Sequence, residues 1–204
     1  MSVWSTYTFR DLLLFSARTY HRLFEIYNEP YGVNWSCWLY GCTVPAGSDG
    51  PAYTAVGMQE LLSIIRRTGA DNPVIVDGLD HASSFKEWRA DKPHDPAGQL
   101  IAGWHIYGPT SCTYVCWERI VREIGPTPIM VTELGETDCK GAFTLRAMRF
   151  LDRQHISYLA WAWDTWHGCK GPPLITSYTG TPSAGYGQSV RSHFLATSTH
   201  RLFG

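Results

Sequence analysis

Residues 128–163 read PIMVTELGETDCKGAFTLRAMRFLDRQHISYLAWAW. Within that stretch 128–133 is a short apolar run of strand character. Residues 141–154 carry apolar side chains at helical spacing, and 157–163 form a second strand-like run. Strand, helix, strand is the unit of a parallel sheet, and its crossover is right-handed.

The same alternation continues outward. Upstream lie a helix at about 114–124, a strand at 100–107 (LIAGWHIY), and a short helix or loop at 84–89. Before them come a strand at 74–77 (VIVD) and an amphipathic helix over 51–67, with Pro51 in the favoured first-turn position and Gly69 closing it. A strand at 23–28 (LFEIYN), a leading helix at 9–20 and a final helix at 186–196 complete the pattern. Polar and aromatic residues gather after each strand: Glu29, Asp77 to His81, His105 with Tyr107, Glu133, and Trp161 to Trp166. Open α/β sheets and eight-stranded barrels both place chemistry at the carboxyl ends of parallel strands. No glycine-rich phosphate loop follows any strand, which favours the barrel. Five strands do not close an eight-stranded barrel. The expected fold class is therefore α/β, a partial (β/α)8 TIM barrel with five of eight strand–helix units and three missing.

Composition narrows the function. The 204 residues are 44% apolar, 14% aromatic and 17% charged, with a formal net charge of −1. That length suits one domain over 1–204 with ample core, and the five-strand count makes that domain an incomplete one. The balanced charge argues against a nucleic-acid partner, and no apolar run is long enough to span a bilayer. The opening MSVWSTYTFRDLLLF is not a signal peptide. Nine Trp and eleven Tyr suit either a large core or flat surfaces for sugars.

Six cysteines in close-spaced pairs, Cys37 with Cys42, Cys112 with Cys116 and Cys139 with Cys169, predict disulfides and a secreted, oxidising setting. Zinc is the rival, but no Cys-x-x-Cys occurs and no His stands at ligand spacing. No metal and no cofactor are expected. Asn34-Trp35-Ser36 forms a glycosylation sequon.

Glu29 and Glu133 each end a strand, and a pair of carboxyls is what glycosidic cleavage needs. His105 and Tyr107, two apart on a strand, point to one side. Trp161 and Trp163 share a face in the same way, and either suits a platform under a sugar ring. Trp35 and Trp38, in the loop after Glu29, are further candidate platforms, as are Trp166 and His167. Asp77, Asp80 and His81 line a subsite or build a turn. Glu118, Glu123, Arg66 and Arg67 read as solvated helix faces.

Taken together, Asn28-Glu29-Pro30 after LFEIY, His105-Ile106-Tyr107, Glu133-Leu134-Gly135 and Trp161 resemble glycoside hydrolase family 5, the cellulase family. The likeness runs from about residue 9 to about residue 196 and covers the family's C-terminal five-eighths. It implies a retaining hydrolase of β-1,4-linked polysaccharide, foremost an endo-β-1,4-glucanase, with Glu29 as general acid/base and Glu133 as nucleophile. Glu133 is preferred to Glu136 because it ends the strand. Asn28 would meet the sugar 2-hydroxyl, Tyr107 would orient Glu133, His105 would bind near the cleavage point, and Trp161 would stack beneath the sugar. The acid must hold its proton near neutral pH while the nucleophile stays ionised. The family's three preceding units contribute an Arg and a His that this sequence lacks in matching positions. The strands at 23–28 and 157–163 would then be sheet edges, covered by self-association unless the chain begins late. A non-catalytic carbohydrate-binding remnant or an inactive fragment is the alternative.

Overall fold

A computed structural model describes residues 22–47, 50–108, 112–166 and 171–201. The expected helix at 9–20, His167 and Cys169 lie outside them. Five parallel strands form one sheet: β1 (Phe24–Glu25), β4 (Val74–Asp77), β5 (Leu100–Gly108), β6 (Ile129–Glu136) and β7 (Ser157–Ala160), hydrogen-bonded in that order. Helices α4 (Tyr114–Ile124) and α5 (Ala142–Arg153) connect β5 to β6 and β6 to β7, and α6 (Tyr186–Arg201) closes the chain. The strand–helix alternation is that of a partial (β/α)8 barrel. Strands β1 and β7 stand at the two ends of the order.

The chain divides into two compact units. The first runs to Gly103 and takes in Ile120–Pro128. All four residues of β4 are buried, as a strand covered on both faces requires. Beside it α2 (Met58–Arg67) buries Met58, Leu62 and Ile65, one helical stripe. Trp35, Trp38, Trp88 and Phe85 form a chain of tilted and edge-on rings. A short helix, α3 (Trp88–Asp91), carries the third of these tryptophans.

Two expectations fail here. The helix over 51–67 begins only at Met58, because Tyr53–Val56 is strand β3, paired antiparallel with β2 (Gly41–Val44). Preceding β2, α1 (Trp35–Tyr40) is tied to it by the Cys37–Cys42 disulfide. A Cβ on Gly57 would collide with the Leu39 carbonyl oxygen, so glycine lets the hairpin close against α1. Aromatic and β-branched residues such as Tyr53, Thr54 and Val56 suit a strand once a partner exists, and long-range pairing decides what periodicity alone does not.

Nor is Arg66 a solvated residue. Its Nε and Nη2 donate to both carboxylate oxygens of Asp95 at 2.7 and 2.8 Å, and Nη1 donates to the carbonyls of Ala70 and Asn72. The Asp95 side chain is 2% exposed and also accepts the amides of Ala97 and Gln99. The Arg66 hydrogen bonds hold its carboxyl below the ordinary 3.8. This stabilisation is present above that ordinary value and is lost as pH falls through the depressed one. A melting temperature that drops below about pH 4, with a shallower drop in Asp95→Asn, is the expected result. Equal slopes in the two proteins would remove Asp95 from the acid response.

The second unit comprises Trp104–Arg119 and the chain from Ile129 onward. Trp117 of α4 packs on Phe143 and Phe150 of α5. The buried Tyr186 hydroxyl lies 2.9 Å from the Leu134 carbonyl and 2.7 Å from that of Trp161, linking α6 to the ends of β6 and β7. Burial, reinforced by the Glu136 charge, pushes that phenol up. Cys112 and Cys116 are joined, and Cys139 is disulfide-bonded as well. Between β7 and α6 the chain adds a small antiparallel hairpin, β8 (Ile175–Ser177) with β9 (Thr181–Pro182).

Candidate active site

In the second unit, β6 delivers Glu133 and β5 delivers His105 and Tyr107. The alternation of β5 puts both of its side chains on one face, as the His-x-Tyr spacing requires. The Tyr107 hydroxyl donates a short hydrogen bond to Glu133 Oε2. His105 Nδ1 lies 3.6 Å from the same oxygen, and its Nε2 is 3.1 Å from the Thr132 hydroxyl. His105 is 4% exposed and the Glu133 side chain 14%. The register between β6 and β7 shifts between Val131 and Leu134, an irregularity spanning Thr132 and Glu133 at the site. One carboxylate oxygen is thus fixed by a phenol, which gives the Glu133 side chain a defined orientation.

Glu136 is engaged differently. It is 1% exposed and accepts the backbone amide of Thr144, in the first turn of α5. A carboxylate there satisfies an otherwise unpaired helix amide and complements the helix dipole. Its sequence neighbour Gly135 has a different duty. A Cβ at Gly135 would lie 2.6 Å from Tyr107 Cε1 and 2.9 Å from Pro172 Cγ. Gly135→Ala is expected to move the Tyr107 ring off Glu133 and cut turnover at least about tenfold, since misplacement by even about 1 Å is costly. Steady-state kinetics beside a melting curve check this, and unchanged kcat would show that the ring has room.

Trp161 and Trp163 follow β7 and are 42% and 63% exposed. Trp166 is 38% exposed and lies against Gly171. Trp35 and Trp38, expected as platforms, are 7% and 2% exposed. Trp38 donates its indole N–H to the Asp77 carbonyl. Both rings belong to the core, and Trp38 backs the apolar cleft that Tyr27 and Tyr31 line. The helix α1 explains this: its N-cap is Asn34, whose Oδ1 accepts from the Cys37 amide, and the turn that follows rolls both indoles inward.

In the first unit, Glu29 follows β1 with φ +51°, a left-handed conformation uncommon for a side-chain-bearing residue. Its amide donates to the Asp77 carboxylate at 3.0 Å, which holds that conformation. Asp77 is fully buried at the end of β4. Asn28 is exposed and Pro30 buried. His81 Nδ1 lies 3.5 Å from Glu29 Oε2, and the His81 ring stacks on Tyr31 with centroids 4.6 Å apart. Asp80, His81 and Ala82 all have positive φ, so the segment after β4 is a left-handed turn that carries His81 toward Glu29. Beside it, Tyr27, Pro30, Tyr31, Tyr53 and Val56 line an apolar cleft of about 280 Å³. Tyr27, Tyr31 and Tyr53 escaped the sequence reading. The only signal for them was their place within a few residues of Glu29 and on the unforeseen hairpin.

A parallel sheet alternating with helices is the architecture of a partial (β/α)8 barrel, and within it Glu133, inside β6 rather than at the end expected for it, is held by Tyr107 and lies beside His105. The sequence profile described as Cellulase (glycosyl hydrolase family 5) matches residues 14–166. The chain belongs to that family. No curated protein matches it in sequence. Among solved structures it is similar to the endo-β-1,4-glucanase of Xanthomonas axonopodis pv. citri, at 18% identity and TM-score 0.62, over 89% of this chain and 62% of that one. A β-glucanase from Saccharophagus degradans in complex with cellotetraose has 16% identity and TM-score 0.65, over 92% and 59%. The catalytic domain of a mannanase from Streptomyces sp. SirexAA-E has 18% identity and TM-score 0.58, over 82% and 51%. These likenesses establish the fold, and the chain spans between half and two thirds of those proteins' length.

Proposed function

We propose that the chain acts as a retaining glycoside hydrolase on β-1,4-linked polysaccharide, an endo-β-1,4-glucanase, secreted by its source. The observation that carries the reading is the Tyr107 hydroxyl on Glu133, flanked by the buried His105. In the first step the Glu133 carboxylate forms a bond to the anomeric carbon while the glycosidic C–O bond breaks. Glu29 gives its proton to the departing oxygen. In the second step water attacks the anomeric carbon, Glu29 takes its proton, and the bond to Glu133 breaks. The anomeric configuration is retained because it inverts twice. Asn28 supports the sugar 2-hydroxyl, and Trp161, with Trp163 beside it, offers a face to the ring. The glucanase assignment is supported by the endoglucanase and β-glucanase among the structural neighbours, with a mannanase as the competing relative.

Reducing-end release from soluble β-glucan, mannan and xylan tests the substrate, with Glu133→Gln as blank. NMR of the first-formed anomer tests the mechanism. Release above the blank on β-glucan, with the β anomer appearing first, is expected. No release on any polymer, together with calorimetric binding of cello-oligosaccharide, would instead establish a carbohydrate-binding remnant. Disulfides Cys37–Cys42 and Cys112–Cys116 support an extracellular site of action. Self-association is supported by the end position of β7 in the sheet and, on one of its faces, by the 52%-exposed Leu159.

A further inference from the structure

Helix α5 carries three arginines, Arg146, Arg149 and Arg153, at the i, i+3, i+7 positions that share one helical face. With Thr113, Tyr114 and Trp117 they line a groove of about 200 Å³ in the second unit. Among the described residues no carboxylate lies within ion-pair distance of any of the three. Arg153 is nevertheless fixed: its guanidinium sits over the Tyr114 ring, 5.4 Å from the centroid, and donates to the Tyr114 hydroxyl at 3.2 Å. Trp117, 2% exposed, forms the floor. The Cys112–Cys116 disulfide closes the turn that presents Thr113 and Tyr114.

Guanidinium groups stay protonated at any pH a protein meets. Like charges one turn apart on a helix repel one another, so the fold retains three cations that destabilise it slightly. An anion in the groove would turn that repulsion into attraction through bidentate hydrogen bonds. From Arg146 to Arg153 the helix rises about 10 Å, at ~1.5 Å per residue. A row of that length matches several charges along a chain better than one small ion. Arg153 covers one side of the Tyr114 ring, and the part of that ring left exposed (44% of the residue) adds the apolar surface against which sugar C–H groups pack.

We propose that this groove binds an anionic oligosaccharide, through carboxylate or sulfate groups spaced along the chain. The site shares no residue with the Glu29 and Glu133 sets and does not depend on their catalytic reading. A charge of −1 for the whole chain supplies no long-range attraction, so binding is local and weakened by salt.

Isothermal titration of the full chain with tetragalacturonate, with a sulfated cello-oligosaccharide and with neutral cellotetraose tests the proposal. Arg146→Gln/Arg149→Gln is the comparison variant, and its melting temperature is expected to equal or slightly exceed that of the parent, because both residues are exposed and their mutual repulsion is removed. At low salt at least one acidic ligand should bind at about 1 mM or tighter. Affinity should fall at least tenfold in the double variant, with cellotetraose unaffected. Heat from one acidic ligand alone identifies the group recognised. Absence of heat from both acidic ligands, or binding that survives the double substitution, would overturn the site. Equal affinity for an oligothymidylate would overturn the saccharide assignment in favour of a phosphodiester chain.

Discussion

Glu133→Gln is expected to lower turnover at least about 10³-fold while leaving oligosaccharide affinity within a few-fold of the parent. Glutamine has nearly the same shape, and its carbonyl oxygen still accepts the Tyr107 hydroxyl, so the pocket wall is preserved. A neutral amide lacks the charge that forms the bond to the anomeric carbon. Such a loss corresponds to about 4 kcal/mol of barrier, the scale set by about 1.4 kcal/mol per tenfold. Glu136 supplies the contrast. Removing its carboxylate in Glu136→Ala leaves the buried Thr144 amide without its acceptor. That should cost about 1–3 kcal/mol of stability, with turnover per folded molecule retained. Rates measured on folded fractions, beside melting curves, separate the two. If Glu136→Ala abolished turnover in folded protein and Glu133→Gln did not, the nucleophile would be Glu136.

The other large effect is on stability. A Cβ at Gly103 would collide with Asp77 Oδ1 and lie 2.8 Å from Ile75 Cγ2. Both neighbours are buried, and Asp77 cannot swing away without releasing the Glu29 amide. Gly103→Ala is therefore expected to destabilise the protein by about 3 kcal/mol, the upper range for overpacking a tight core. For a chain of this size that is a fall in melting temperature of about 10 °C. Any activity that remains should also drop, because Glu29 loses the bond that keeps its positive φ. The double variant Gly103→Ala/Asp77→Ser shortens the obstructing side chain and is expected to regain part of the stability and none of the positioning. A Gly103→Ala protein that melts with the parent would show that the sheet opens freely at this point.

Much of the fold was legible because its signals are local. VIV at 74–76 is apolar on both faces, and VIVD at 74–77 is a strand over those residues. The helix at 114–124 stands where periodicity puts it. Glu133, His105 and Tyr107 are legible by position, since period-two alternation fixes which side chains share a face. What was not legible depended on partners far along the chain. Tyr53–Val56 becomes a strand only because Gly41–Val44 lies beside it. Arg66 looks like surface until Asp95, 29 residues on, closes on it. Trp35 and Trp38 differ from Trp161 and Trp163 only in which way the backbone turns them.

The amino-acid sequence by itself determined the succession of the five parallel strands, the family, and which chemistry-bearing residues lie on or just after those strands, all of which follow from short-range pattern and chain order. Tertiary structure decided which carboxylate is aimed by a tyrosine and which caps a helix, and which aromatic rings are core and which are surface. It also decided where, among the described residues, three arginines are left without acids. Those outcomes turn on distances of an ångström or two between residues far apart in the chain, set by packing and glycine-sized gaps that no local pattern records.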